Sequence, residues 1–143
     1  MKNLSKRIAT IAASLALVVV LGVALAACGS KSYAELTLDE YKANLEKANY
    51  KAEEAPKEYF GMYAAMFGLS DFVEDIEWML QGYSEEDGIY LVKFTSEDKA
   101  KDAKDAVEKA VEEAGEEDNG KIVRAGSVVI IATDAGLDAA YGD

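Results

Sequence analysis

Histidine is absent from all 143 residues, and there is only one cysteine, one proline and one tryptophan. Without histidine the chain lacks the commonest general base and the commonest transition-metal ligand. A single cysteine cannot close a disulfide within the chain. Cations are also scarce, with 15 Lys and Arg against 27 Asp and Glu and a net charge of −12. No Lys/Arg cluster offsets that charge, so nucleic acid is not an expected partner. No Gly-rich phosphate loop is present. Around Ser127 the residues Ala125-Gly126-Ser127-Val128-Val129 lack the glycine pattern of a nucleophile elbow. These absences point away from an enzyme and supply no catalytic or metal-ligating residue. The one catalytic alternative left is a small carboxylate-dependent cell-envelope hydrolase, although nothing in the sequence selects a pair of acids for it.

What the chain does have is one long apolar run, residues 8–27, behind Lys2, Lys6 and Arg7. A basic start, an apolar middle and small residues before a cut site make a secretory signal. The run ends in Leu25-Ala26-Ala27-Cys28, which puts the only cysteine directly behind two small residues. These four residues resemble the lipobox of bacterial lipoproteins. The resemblance implies that Leu25, Ala26 and Ala27 are recognised by a signal peptidase and that Cys28 takes a covalent diacylglyceryl lipid. No other cofactor is implied. Two acyl chains hold stably to a bilayer where one holds only marginally. The implied location is the cell membrane, lipid-anchored on its extracytoplasmic face. An uncleaved transmembrane helix is the competing reading, since roughly 20 apolar residues can span a bilayer. The position of Cys28 favours the lipoprotein. Gly29 stands where some Gram-negative lipoproteins carry a retention Asp, so that signal is not seen.

The expected organisation is a signal peptide at 1–27, a lipidated cysteine with a short tether at 28–36, and one domain at 37–143. Losing Lys2, Lys6 and Arg7 would take the net charge from −12 to about −15. A tether of four to seven extended residues reaches at most about 25 Å. The acidic domain is then held close to a surface that its own charge resists. About 116 residues can bury roughly 60–70% of the unfolded surface, enough for one core and not for two.

Beyond the tether, helix and strand signals alternate. Thr37-Leu38-Asp39-Glu40 fits a capping box. Leu38, Tyr41, Leu45 and Ala48 follow with the spacing of one buried helix face, and Asn49 suits a left-handed stop. Residues 50–54 read as a short edge strand. Pro56 opens a helix over 57–67 that Gly68 ends. Residues 69–83 fit either a helix or a strand. The hairpin reading is preferred because Trp78 and Tyr83 suit a pleated surface, and it pairs the segment with a strand at 89–95. On that reading Ile76, Trp78 and Leu80 share one side. Thr95-Ser96-Glu97-Asp98 predicts another capping box. The helix after it carries a stripe of Ala100, Ala103, Val107, Ala110 and Ala114, read as packing on a sheet rather than as a coiled-coil seam. Gly115 ends it. Strands at 121–124 and 127–133 flank Ala125-Gly126, and the unbroken apolar run Val128-Val129-Ile130-Ile131 marks a strand covered on both faces. Asp134 is expected to cap a short helix at 136–141. The fold class is α+β, with an antiparallel or mixed sheet of about four to five strands and helices packed on it, behind a signal-peptide helix.

Two acidic stretches, Glu85-Glu86-Asp87-Gly88 and Glu116-Glu117-Asp118-Asn119-Gly120, offer hard oxygen ligands. Neither has the ligand spacing of an EF-hand loop, and solvated turns are the simpler reading. The segment from Tyr59 to Phe67 is apolar nearly all round as a helix. Tyr59, Met62, Tyr63 and Met66 fall on one face, and Phe60, Ala64 and Phe67 on the other. Plain core is the simpler account. The alternative leaves Tyr59, Met62, Tyr63 and Met66 as a partner surface for a protein or a small apolar ligand. The anchor reading predicts that Cys28→Ser will abolish incorporation of labelled fatty acid and move the protein from the membrane pellet to the soluble fraction. Unchanged labelling and sedimentation would reject it.

Overall fold

The computed structural model describes residues 33–114 and 120–142; the expected signal peptide, Cys28 and most of the acidic loop at 116–120 lie outside them. Helix α1 (Leu38–Lys47) leads to β1 (Lys51–Glu54). A 3-10 turn (Lys57–Tyr59) enters α2 (Phe60–Met66), and a second (Ser70–Asp75) enters β2 (Ile76–Tyr83). The chain continues through β3 (Gly88–Phe94), α3 (Glu97–Glu113), β4 (Lys121–Ala125), β5 (Val128–Ala132) and α4 (Asp134–Ala140). The strands form one sheet in the order β1-β2-β3-β5-β4, antiparallel at every pairing. This is the expected α+β class, with the sheet wholly antiparallel rather than mixed.

Helices cover the sheet on both faces, so the core has two layers. On one face α2 supplies Phe60 and Ala64, and α3 supplies Ala100, Ala103 and Val107, over Met79, Tyr90, Val92, Phe94, Val129 and Ile131. On the other, Tyr41 and Leu45 of α1 and Leu137 and Ala140 of α4 pack over Leu80, Ile89, Leu91, Val128 and Ile130. Successive strand residues point to opposite faces. The alternation of Val128 and Ile130 with Val129 and Ile131 therefore feeds both layers from one strand. The alanines of α3 let its backbone lie close to the sheet, which is the packing their spacing suggested.

Local chemistry sets the element ends. The capping box at Thr37 forms as expected, with Thr37 accepting from the Glu40 N–H and Glu40 accepting from the Thr37 N–H. Asn49 takes its left-handed turn at φ 68°. Four expectations need correction. The cap of α3 is Ser96, which accepts from the Lys99 N–H. It falls one residue later than read because the Thr95 N–H is used on the Asp75 carbonyl at 2.8 Å. The last helix starts at Asp134, capped by Thr133. Asp134 is thereby free to pair with Lys121, a buried residue on the edge strand β4. Residues 57–67 are not one helix but a 3-10 turn running into α2. Finally, the 69–83 segment does form the hairpin strand, but a β-bulge lies between Ile76 and Trp78. The extra residue breaks the two-residue alternation, so Ile76 joins Met79 on the α3 face while Trp78 and Leu80 stay on the α1 face.

Gly82 shows how closely α1 sits on the sheet: a Cβ there would come within 2.7 Å of Ile89 Cγ2 and 3.0 Å of Leu45 Cδ1. Urea unfolding is expected to show Gly82→Ala destabilised by about 1–3 kcal/mol through overpacking and Leu45→Ala by about 2–5 kcal/mol through the cavity it leaves. A Gly82→Ala protein as stable as the wild type would mean that α1 does not pack this tightly.

Candidate functional site

The Met/aromatic helix divides as its two faces suggest. Phe60, Ala64 and the following Phe67 are buried, whereas Tyr59 is 49% and Met62 55% exposed. Tyr63 and Met66 are half-buried and pack against the edge of the α3-side core. The plain-core reading therefore holds for one face of α2 only. Its other face forms one wall of an open groove of about 480 Å³, whose floor and far rim come from the β2–β3 hairpin. Met62, Tyr63 and Met66 stand opposite Gln81, Tyr83 and Tyr90. Tyr59 is not part of the lining.

The strand register builds the floor. Gln81 pairs with Tyr90 across the β2–β3 ladder, so both side chains emerge on the α2 face. The Gln81 amide donates to Tyr90 Oη at 3.3 Å. Tyr90 meets Phe67 edge-on with ring centroids 4.8 Å apart and Tyr63 at 6.3 Å. Burial, with Tyr63 nearby, raises the Tyr90 phenol above its ordinary pKa. Tyr83 Oη donates to Glu53 on β1 at 3.0 Å, and that bond raises its pKa too. Both phenols stay neutral at physiological pH. The groove is thus walled by thioethers and tyrosine rings with an amide and hydroxyls at fixed points.

Asp87 is the one acidic residue of the lining, and its side chain serves the opposite layer. Tyr50 Oη and Thr133 Oγ1 both donate to Asp87 Oδ2, and Thr133 Oγ1 in turn accepts from the Gly136 N–H at 2.7 Å. The buried carboxylate ties the hairpin turn to the start of α4. The other acidic stretch falls mostly on 115–119, outside the described residues. Among the described residues no group of three or more His, Cys, Asp or Glu could hold a metal ion. None of the described helices is long and apolar enough to cross a membrane.

A second polar constellation sits at the other end of the sheet, and no sequence pattern announced it. Residues 33–36, expected as the end of a tether, are docked on the domain. Glu35 Oε1 accepts from the backbone N–H of Ser127 at 2.5 Å and from Ser127 Oγ at 2.6 Å. Lys93 Nζ donates to Glu35 Oε2 at 2.8 Å and also to Ser127 Oγ. Gly126, at φ 59°, leaves the room: a Cβ there would stand 2.4 Å from Glu35 Oε1. A serine beside a lysine is the outline of a nucleophile and its base. Here Ser127 is only 4% exposed and its hydroxyl is already donated in a hydrogen bond to Glu35. The arrangement is a structural pin.

No family model, curated protein or solved structure matches this chain.

Burial opposes ionisation of Glu35, but the hydrogen bonds from Lys93 and Ser127, together with the Lys93 charge, bring its pKa down from 4.5 to about 2. A carboxylate whose pKa is depressed on folding stabilises the fold above its unfolded pKa, and loses that contribution as pH falls through the folded one. Its side chain is 36% exposed, so solvent screening limits the contribution to about 1 kcal/mol. Between pH 5 and pH 2 the stability gap between wild type and Glu35→Gln should therefore close by about that amount. A gap independent of pH would show that Glu35 is not ionised in the pin.

Proposed function

We propose that this chain is a non-catalytic, lipid-anchored module on the extracytoplasmic face of the cell membrane, which takes a protein segment or a small apolar ligand into the α2–hairpin groove. The observation that carries the reading is the exposed methionine and tyrosine face of α2 standing across an open groove of about 480 Å³ from Tyr83 and Tyr90. That volume is in the range of small-ligand pockets, roughly 300–1,000 Å³. Methionine fills irregular contacts and re-packs at little cost, and tyrosine gives a rigid apolar body with a polar tip. Both are favoured where a partner is held by shape and apolar area. The anchor rests on the residues around Cys28.

The neutral apolar fluorophore 1-N-phenylnaphthylamine, titrated into the mature domain, tests the groove. It is expected to bind the wild type and to lose at least tenfold in affinity, about 1.4 kcal/mol, in Met62→Asp. Because Met62 is more than half exposed, the substitution should leave the unfolding midpoint nearly unchanged. In-cell crosslinking of the same pair reads out a protein partner. Equal dye binding and equal capture by wild type and Met62→Asp would reject the groove as the working surface.

A further inference from the structure

The pin at Glu35 and the groove lie at opposite ends of the same strands. Strand β3 begins at Gly88, on the groove rim, and reaches Lys93, in the pin, five residues later. At about 3.3 Å per residue that is roughly 17 Å. Strand β5 runs the other way, from Val128 beside the pin to Ala132, paired with Ile89 beside the groove. Helix α4 then returns to the pin end, where Tyr141 closes on the N-terminal segment: Tyr141 Oη donates to the Ala34 carbonyl at 2.8 Å, and its ring lies 5.4 Å from that of Tyr33. Tyr41 Oη accepts from the Leu36 N–H at 3.2 Å and lies 3.1 Å from Tyr141 Oη. Burial raises the pKa of both phenols, which keeps them neutral hydrogen-bond partners. Residues 33–36 are thus clasped along their length.

Cys28 stands five residues before Tyr33. Five Cα steps cover at most roughly 18 Å even when fully extended. A lipid on Cys28 therefore draws the end of the sheet marked by Tyr33, Tyr141 and the Gly126-Ser127 turn to the bilayer. A tether free as far as residue 36 would add four residues of reach; the clasp leaves only the steps from Cys28 to Tyr33 between lipid and domain. We infer that residues 33–36 are an orienting strap: the Tyr33/Tyr141/Ser127 pole faces the lipid surface, and the Met62/Tyr83 groove opens away from it toward the aqueous side. This rests on the anchored reading above and adds to it that the groove's occupant approaches from the aqueous side.

The test uses the full lipidated protein in phosphatidylcholine vesicles that carry a headgroup spin label. With Cys28 acylated, an engineered cysteine is the only thiol for a bimane label. Arg124→Cys places it at the pin pole and Glu86→Cys at the groove pole, both at exposed positions. Quenching at 124 is expected to exceed that at 86 by at least threefold. In the Glu35→Gln/Tyr141→Phe background, which loosens the strap, the ratio should fall toward one. Equal or reversed quenching in protein that floats with the vesicles would overturn the strap while leaving the anchor standing. Protein that does not float with the vesicles would overturn the anchor and the strap together.

Discussion

The β3–β5 ladder is the constraint on which the rest of this fold depends. Every residue from Ile89 to Val92 and from Val128 to Ala132 is buried, so neither strand has a face to give to water. Antiparallel sheets commonly leave one side wet; this one cannot. Helices must close both sides, and the short chain supplies two for each: α2 and α3 over Val92 and Val129, α1 and α4 over Leu91 and Ile130. The groove follows from the same requirement. Helix α2 has seven residues, too few to cover the α3-side face out to the hairpin tip, and the uncovered strip beside Tyr83 and Tyr90 is the groove floor.

Polar chemistry is placed at the two ends of the strands rather than between the layers. At one end Asp87 gathers Tyr50 and Thr133, joining the hairpin turn to the residue that leads into β1 and to the cap of α4. At the other, Glu35 gathers Lys93 and Ser127, joining the N-terminal segment to β3 and β5. Each carboxylate has its hydroxyl or ammonium donors supplied by elements distant in sequence, so each locks tertiary arrangement rather than local turn geometry. Buried polar groups cost free energy unless they are hydrogen-bonded, and concentrating the buried carboxylates at the ends leaves tyrosine hydroxyls as the polar side-chain groups of the two core clusters.

How much could be read from the sequence varied with the range of the interaction responsible. The helix stripe from Ala100 to Val107, the doubly apolar Val128–Ala132 strand and the Thr37 box are written in consecutive residues, and all were legible. The Ile76 bulge was not, because the two-residue alternation looks unbroken and only the pairing with β3 reveals the extra residue. Nor was the Ser96 cap, since what displaced it was Asp75 from another element. Of the groove, the α2 wall was legible in the face carrying Met62, Tyr63 and Met66. Its other wall was hidden, because Gln81 and Tyr90 come together only through cross-strand register. Glu35 carried no signal at all: its partners lie 58 and 92 residues away.

Lys121 and the short β1 strand have a consequence for neighbours. A sheet with two open edges can add strands from another copy of itself. Here one edge is only four residues long and shows Lys51, Glu53 and Glu54. The other turns the buried Lys121 ammonium inward to Asp134 and sets an exposed Arg124 farther along. Charged side chains at both margins blunt the edges as templates for further strands, and the excess of acid over the whole chain adds a general repulsion between copies.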